Sequence, residues 1–276
     1  MAIERVFNRY SVCGLSDCGL CREINEDSIL LNTQSGVFLL ADGMGGHRSG
    51  DKASNQAVTL IDTLMAKHLP VATVPLDDAN LWQKICRLFK KPDRISCGPN
   101  LESQSRLIAD ILIEANRVIY RDNQQAGLDD GSGMGTTLVG CRIVPALDKL
   151  QVFHVGDSRL YRMRRGELLQ ISKDHSLYQL WLDGGQIGES PATNRIYQGI
   201  GPAPSIKPDV QMIDIEADDA FLLCSDGLTD CVSDLGIADI LQDLGSDNIE
   251  IKARTLIDQA NRNGGTDNIS VILICQ

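Results

Sequence analysis

Two apolar runs of strand length, Val37 to Ala41 and Phe221 to Cys224, each lead directly or after one serine into an Asp-Gly pair, Asp42-Gly43 and Asp226-Gly227. Such runs, bounded by turn residues, read as buried strands. The pair sets a hard oxygen ligand at the end of a rigid element, and the glycine leaves the backbone free to turn there. Two more acidic motifs also lie at the ends of apolar runs: Arg22-Glu23-Ile24-Asn25-Glu26-Asp27 and Gly264-Gly265-Thr266-Asp267-Asn268. Carboxylates at strand ends so far apart in the chain imply a fold that gathers those ends around one shared cation site.

The order of elements limits that fold further. Val6 to Val12, Ser28 to Leu31 and Val37 to Ala41 read as strands, and the polar turn Asn32 to Gly36 makes a hairpin of the last two. In an antiparallel pair, Asp27 and Asp42 then fall at the same sheet edge. Apolar residues at three- and four-residue steps predict helices from about Ala53 to His68 and from about Ser103 to Asn123. Thr136 to Ile143, Leu150 to Val155, Leu160 to Met163 and Leu168 to Ile171 form a meander with turns at Pro145 to Lys149 and Arg164 to Glu167. Ala220 to Cys224 and Ile269 to Cys275 are two more buried strands, with helical patterns between them near Leu235 to Leu244 and Ile249 to Asn261. With no regular βαβ alternation, the class is α+β. Residues 1–276 are expected to form a single domain.

A net charge of -11 argues against a nucleic-acid face, and part of it is what a divalent cation site would neutralise. No apolar run approaches the roughly 18 residues that span a bilayer, and no signal segment is evident, so a cytoplasmic protein is expected. The nine cysteines fit free thiols in a reducing compartment better than a disulfide framework. Cys18 and Cys21 form one C-x-x-C without the second pair that a zinc tetrahedron needs.

Seven segments carry a resemblance to a known family: Arg22 to Ser28, Leu40 to Gly46, Gly133 to Thr137, Val155 to Arg159, Lys173 to Ser176, Ser225 to Leu228 and Thr266 to Asn268. In this order the chain resembles the metal-dependent protein phosphatases of the type 2C serine/threonine class, in their compact bacterial form. The resemblance implies two stacked antiparallel β-sheets flanked by helices. It also implies hydrolysis of phosphoserine and phosphothreonine in proteins by a metal-bridged hydroxide.

Residue by residue, it assigns Asp42, Asp226 and Asp267 as ligands of two Mn²⁺ or Mg²⁺ ions, with Asp42 bridging and the Gly43 carbonyl reaching one of them. Asp27 holds metal-bound water, with Glu26 beside it. Asp157 matches the position of a third, weaker ion, and Arg22 matches the phosphate-binding arginine. The chemistry is consistent with these residue types. Oxygen ligands suit Mg²⁺ or Mn²⁺, two ions roughly 3.5–4 Å apart can activate a shared water, and a guanidinium fork can grip two phosphate oxygens. Met44 stands where many eukaryotic relatives have a histidine, which leaves the general acid unassigned. His47 is the nearest titratable group, and a surface role suits it better.

Other residues have plainer expectations. Asp157 caps a turn or pairs with Arg159 if it holds no metal, His175 orders the loop after Asp174, and Gly133 to Thr137 is a strand entry rather than a phosphate cradle. The insertion near residues 70–102 contains Leu81 to Arg94, a basic amphipathic segment. It is either a helix covering extra core or a docking element for an acidic partner or membrane surface. The stretch from Asp183 to Pro208, rich in glycine and proline, is expected to be a flap beside the site. The expected partners are phosphorylated proteins, a serine/threonine kinase or its substrates. A partner-binding relative without activity would have lost a metal carboxylate or the arginine, and none is missing. A calcium module is disfavoured because no EF-hand loop is present.

Overall fold

The computed structural model describes residues 4–7, 9–44, 49–69 and 101–276. His47 and the segment Leu81 to Arg94 lie outside them. One six-stranded sheet runs in the order β1 (Glu4–Val6), β2 (Tyr10–Asp17), β12 (Ile269–Cys275), β11 (Ala220–Cys224), β8 (Arg159–Arg164) and β9 (Glu167–Gln170). The other runs β10 (Asp209–Asp214), β7 (Lys149–Val155), β6 (Leu138–Val144), β4 (Val37–Met44) and β3 (Asp27–Asn32), with the short β5 (Gly135–Thr136) paired to the end of β4. All the pairings are antiparallel.

Alternation along the strands builds three apolar layers. In β4, Phe38 and Leu40 point between the sheets, where they meet Val139, Val152, Phe221, Leu223 and Ile272. Val37, Leu39 and Ala41 point the other way, onto α1 (Gly50–His68) and α2 (Leu101–Gln125), through residues such as Ala57, Ile61, Ile108 and Leu112. On the second sheet, Leu222, Cys224, Val271 and Leu273 face α5 (Asp234–Leu241) and α6 (Ile249–Arg262). The result is an α-β-β-α sandwich. Each large apolar side chain so enclosed contributes about 1.5–3 kcal/mol.

One local expectation needs correction, and two elements are new. The run from Val6 to Val12 is not one strand: Phe7 takes a φ of 52°, Arg9 N–H donates to Val6 O, and the chain doubles back as β1 and β2. Asp209–Asp214, to which the sequence pattern assigns no element, is an edge strand paired along its length with β7. Leu177–Asp183 is a short helix, α3, whose Ser176 side chain accepts from Gln179 N–H. The turn from Arg164 to Glu167 is a tight hairpin, with Arg165 and Gly166 both at positive φ as its twist demands. Among the described residues, no helix is long and apolar enough to cross a membrane.

The register places the acidic motifs. Asp27 and Asp42 are direct partners in the β3–β4 ladder. Cys224 pairs with Val271, so the residues just after β11 and just before β12 emerge together, and these include Asp226 and Asp267.

Candidate metal centre

Asp42 is held from three sides. Thr137 N–H and the Thr136 hydroxyl both donate to its carbonyl, at 2.8 Å each, and its own N–H donates to Thr137 Oγ1 at 3.1 Å. The segment Gly133 to Thr137 is therefore a strand entry buttressing the site, as expected. Gly43 does not turn the chain, because β4 runs on to Met44. A Cβ there would sit 2.2 Å from Gly50 O and 2.5 Å from Glu26 O, so the glycine admits the start of α1 against the strand. Gly227 is similar: α4 (Asp226–Thr229) begins directly after Ser225, and a Cβ at Gly227 would lie 2.1 Å from Asn268 O.

The carboxyl groups of Asp42 and Asp226 lie within hydrogen-bonding reach of each other. Asp27 Oδ2 accepts from Ser225 Oγ at 2.9 Å. Asp27 Oδ1 and Asp226 Oδ1 are buried and accept no hydrogen bond. Burial, then the neighbouring carboxylates, pushes Asp42 well above the ordinary carboxylate range, and Asp27 and Asp226 rise as well, chiefly through burial. Asp157 is pushed up to about 7 by burial and by Asp226. An acidic cluster with orphaned oxygens is the environment a hard divalent cation relieves.

Not every expected residue points into this cluster. Asp267 Oδ2 accepts from Arg22 Nη2 at 2.7 Å, and its Oδ1 accepts from Asn268 N–H at 2.8 Å, so both oxygens are engaged. Among the described residues, only His154, His175 and Asp209 bring three ligand atoms within 4.8 Å of one another, so the aspartates are spread more widely than that. Such a spread suits hydrated ions that take one or two carboxylates each. Glu26 faces α1, where its Oε1 accepts from Gly50 N–H at 3.1 Å while its carbonyl accepts from Ser54 Oγ at 2.6 Å. Asp157 does not pair with Arg159, whose guanidinium makes a fork to Asp174 at 2.7–3.1 Å.

Sequence reasoning missed several supports. Asn268 ties three segments together, its side chain donating to Cys18 O and Ile24 O and accepting from Glu26 N–H. Its position directly after Asp267 was the available signal. Asp230, four residues after Asp226 and so on the same helix face, adds negative charge felt by Asp226.

The family model described as Protein phosphatase 2C matches residues 22–248, a span that includes Arg22, Asp27, Asp42, Asp157 and Asp226 and stops short of Asp267. The chain belongs to that family and is a metal-dependent serine/threonine phosphatase. It is 32% identical over 267 residues to the serine/threonine phosphatase Stp of Listeria welshimeri, covering 94% of this chain and 93% of that one. The serine/threonine phosphatase of S. agalactiae superposes with a TM-score of 0.75 at 32% identity, covering 96% of this chain and 99% of the other. The catalytic domain of the phosphatase PstP, solved in complex with two manganese ions, gives a TM-score of 0.71 at 32% identity, covering 96% and 97%.

Proposed function

We propose that Asp42, Asp226 and Asp267 hold a pair of Mn²⁺ or Mg²⁺ ions, with the Gly43 carbonyl on one of them, for hydrolysis of phosphoserine and phosphothreonine in proteins. Asp27 steadies coordinated water, and Asp157 with Asp226 offers a weaker third position. The observation that carries this reading is the pair of buried, unpartnered oxygens on Asp27 and Asp226 beside a carboxyl contact between Asp42 and Asp226. When bound, two such ions make a nucleophile of water near neutral pH and offset charge on the phosphoryl oxygens.

The chain's own residues do the rest. Arg22 stands at the rim with its side chain half exposed, held by Asp267 with its planar fork open to phosphate oxygens. Thr137 and Asn268 fix the loops that carry the aspartates. Glu26 serves by seating α1 against Gly43 rather than by reaching the ions. Residues 1–276 act as one catalytic domain, with 183–208 as a flap whose root packs on Met44 and Thr136. The described cysteines are all free, which supports a cytoplasmic setting, and a serine/threonine kinase or its substrates are the natural partners.

Phosphate release from a phosphothreonine peptide tests this. Turnover should require Mn²⁺ or Mg²⁺ and stop with EDTA; a chelator-insensitive rate would refute it. Arg22→Lys should lower kcat/KM by roughly 10–100-fold, since an ammonium cannot grip two oxygens in a plane, while Mn²⁺ binding measured by calorimetry stays intact.

A further inference from the structure

Two buried histidines take no part in the chemistry above. His154 on β7 and His175, which follows β9, stack with ring centroids 4.7 Å apart and planes inclined at 22°. With Asp209, the partner of His154 in the β7–β10 ladder, they group three ligand atoms within 4.8 Å. The stacking argues against a metal there, because ring lone pairs lie in the ring planes and near-parallel planes do not aim them at one point. The hydrogen bonds give His175 a different task.

Gly156 N–H lies 3.1 Å from His175 Nδ1, and an amide N–H can only donate. Nδ1 therefore carries the lone pair, and the ring proton sits on Nε2, facing Asp209 Oδ2 at 3.4 Å. A second donor reaches the same Nδ1: the Gln198 Nε2 amide, at 2.8 Å. The orientation of that amide is fixed by Lys207, whose N–H donates to Gln198 Oε1 at 2.7 Å and whose carbonyl accepts from Gln198 Nε2 at 3.0 Å. One imidazole nitrogen thus joins the backbone beside Asp157 to a residue of the flap, and through it to the flap's far end.

The main chain repeats the connection. His175 N–H donates to Gly156 O at 2.9 Å, and His175 O accepts from Tyr197 N–H at 2.9 Å. The Tyr197 ring tilts against the His175 ring at 5.6 Å. Gly156 is held in turn at a φ of 107°, where a Cβ would strike Thr137, the residue that clamps Asp42.

We propose that His175 is a positioning residue that registers the 183–208 flap against the turn bearing Asp157, and so sets where a phosphoprotein meets the site. This inference rests on the phosphatase reading. A small phosphoester needs no flap, whereas a polypeptide substrate must pass along it.

Two substitutions separate the ring nitrogens. In His175→Asn the amide oxygen falls near Nδ1 and can accept from Gly156 and Gln198; in His175→Gln the amide falls near Nε2 and leaves both donors without an acceptor. His175→Gln should raise KM for a phosphothreonine peptide about tenfold, as expected for two lost neutral hydrogen bonds, with turnover of p-nitrophenyl phosphate within twofold of wild type. His175→Asn should restore the peptide KM. Tryptic cleavage after the exposed Arg195, followed in metal-free protein, should quicken in the Gln variant and not in the Asn variant. Equal behaviour of the two variants, or parallel loss on both substrates, would overturn the proposal. If His175→Gln does not fold, Gln198→Leu removes the flap side of the contact and should raise the same KM; an unchanged KM there refutes the proposal. Wild-type protein that hydrolyses neither substrate with Mn²⁺ would refute the phosphatase reading instead, and the trypsin comparison would still decide the fate of the clamp.

Discussion

Asp42→Asn and Asp226→Asn are each expected to lower kcat on a phosphothreonine peptide by about 10³-fold or more, roughly 4 kcal/mol of barrier, without loss of the fold. The two carboxyl groups are within hydrogen-bonding reach; burial raises both, the charges of Asp226 and Asp27 raise Asp42 further, and those of Asp230 and Asp267 raise Asp226. In metal-free protein, an amide at either position removes one charge from that crowd and keeps the shape. The melting temperature in EDTA should therefore hold or rise while activity disappears, the exchange of stability for function expected of a cation site. Added Mn²⁺ should raise the melting temperature of wild type by mass action and fail to do so in the variants. Thermal melts with and without Mn²⁺, together with peptide turnover, check both halves. A variant that lost activity only by melting early would show a structural aspartate.

Gly43→Ala and Gly227→Ala should be nearly as damaging, through sterics rather than charge. The new Cβ would lie 2.2 Å from Gly50 O in the first and 2.1 Å from Asn268 O in the second, and both are backbone atoms that no rotamer change can move aside. Relief requires displacing the start of α1 or the loop that carries Asp267. Overpacking of this kind costs about 3 kcal/mol, a fall of roughly 6 °C or more in melting temperature for a chain of this size. A shift of about 1 Å in the ligand frame should also cost about 10²-fold in kcat. Calorimetry and peptide kinetics on the purified variants measure both. Wild-type values for either variant would mean that the close approach is not required.

Much of this arrangement was legible in the residues because apolar runs of strand length, bounded by polar turns, specify both a strand and its edge. The hairpin of residues 27–42 is an example: the turn at Asn32 to Gly36 sets the register, and the register sets Asp27 opposite Asp42. The reason for the glycines was not legible. Asp-Gly reads as a turn, and only the packed structure shows that Gly43 and Gly227 serve close approach between distant segments. The Asp209–Asp214 strand was hidden because an edge strand buries one face lightly and its few apolar residues give little signal. The side-chain pairings were hidden for a different reason. Arg159 finds Asp174 and not Asp157, Glu26 turns to α1, and Asp267 pairs with Arg22, each settled by contacts between segments that spacing along the chain cannot weigh.

Diffraction from a crystal soaked in Mn²⁺, with the anomalous signal of the metal mapped, tests the central claim most directly. The account predicts two strong peaks bounded by Asp42, Asp226 and Asp267, with Asp267 released from Arg22 toward one of them. Peaks confined to His154, His175 and Asp209, or none near Asp42, would contradict it.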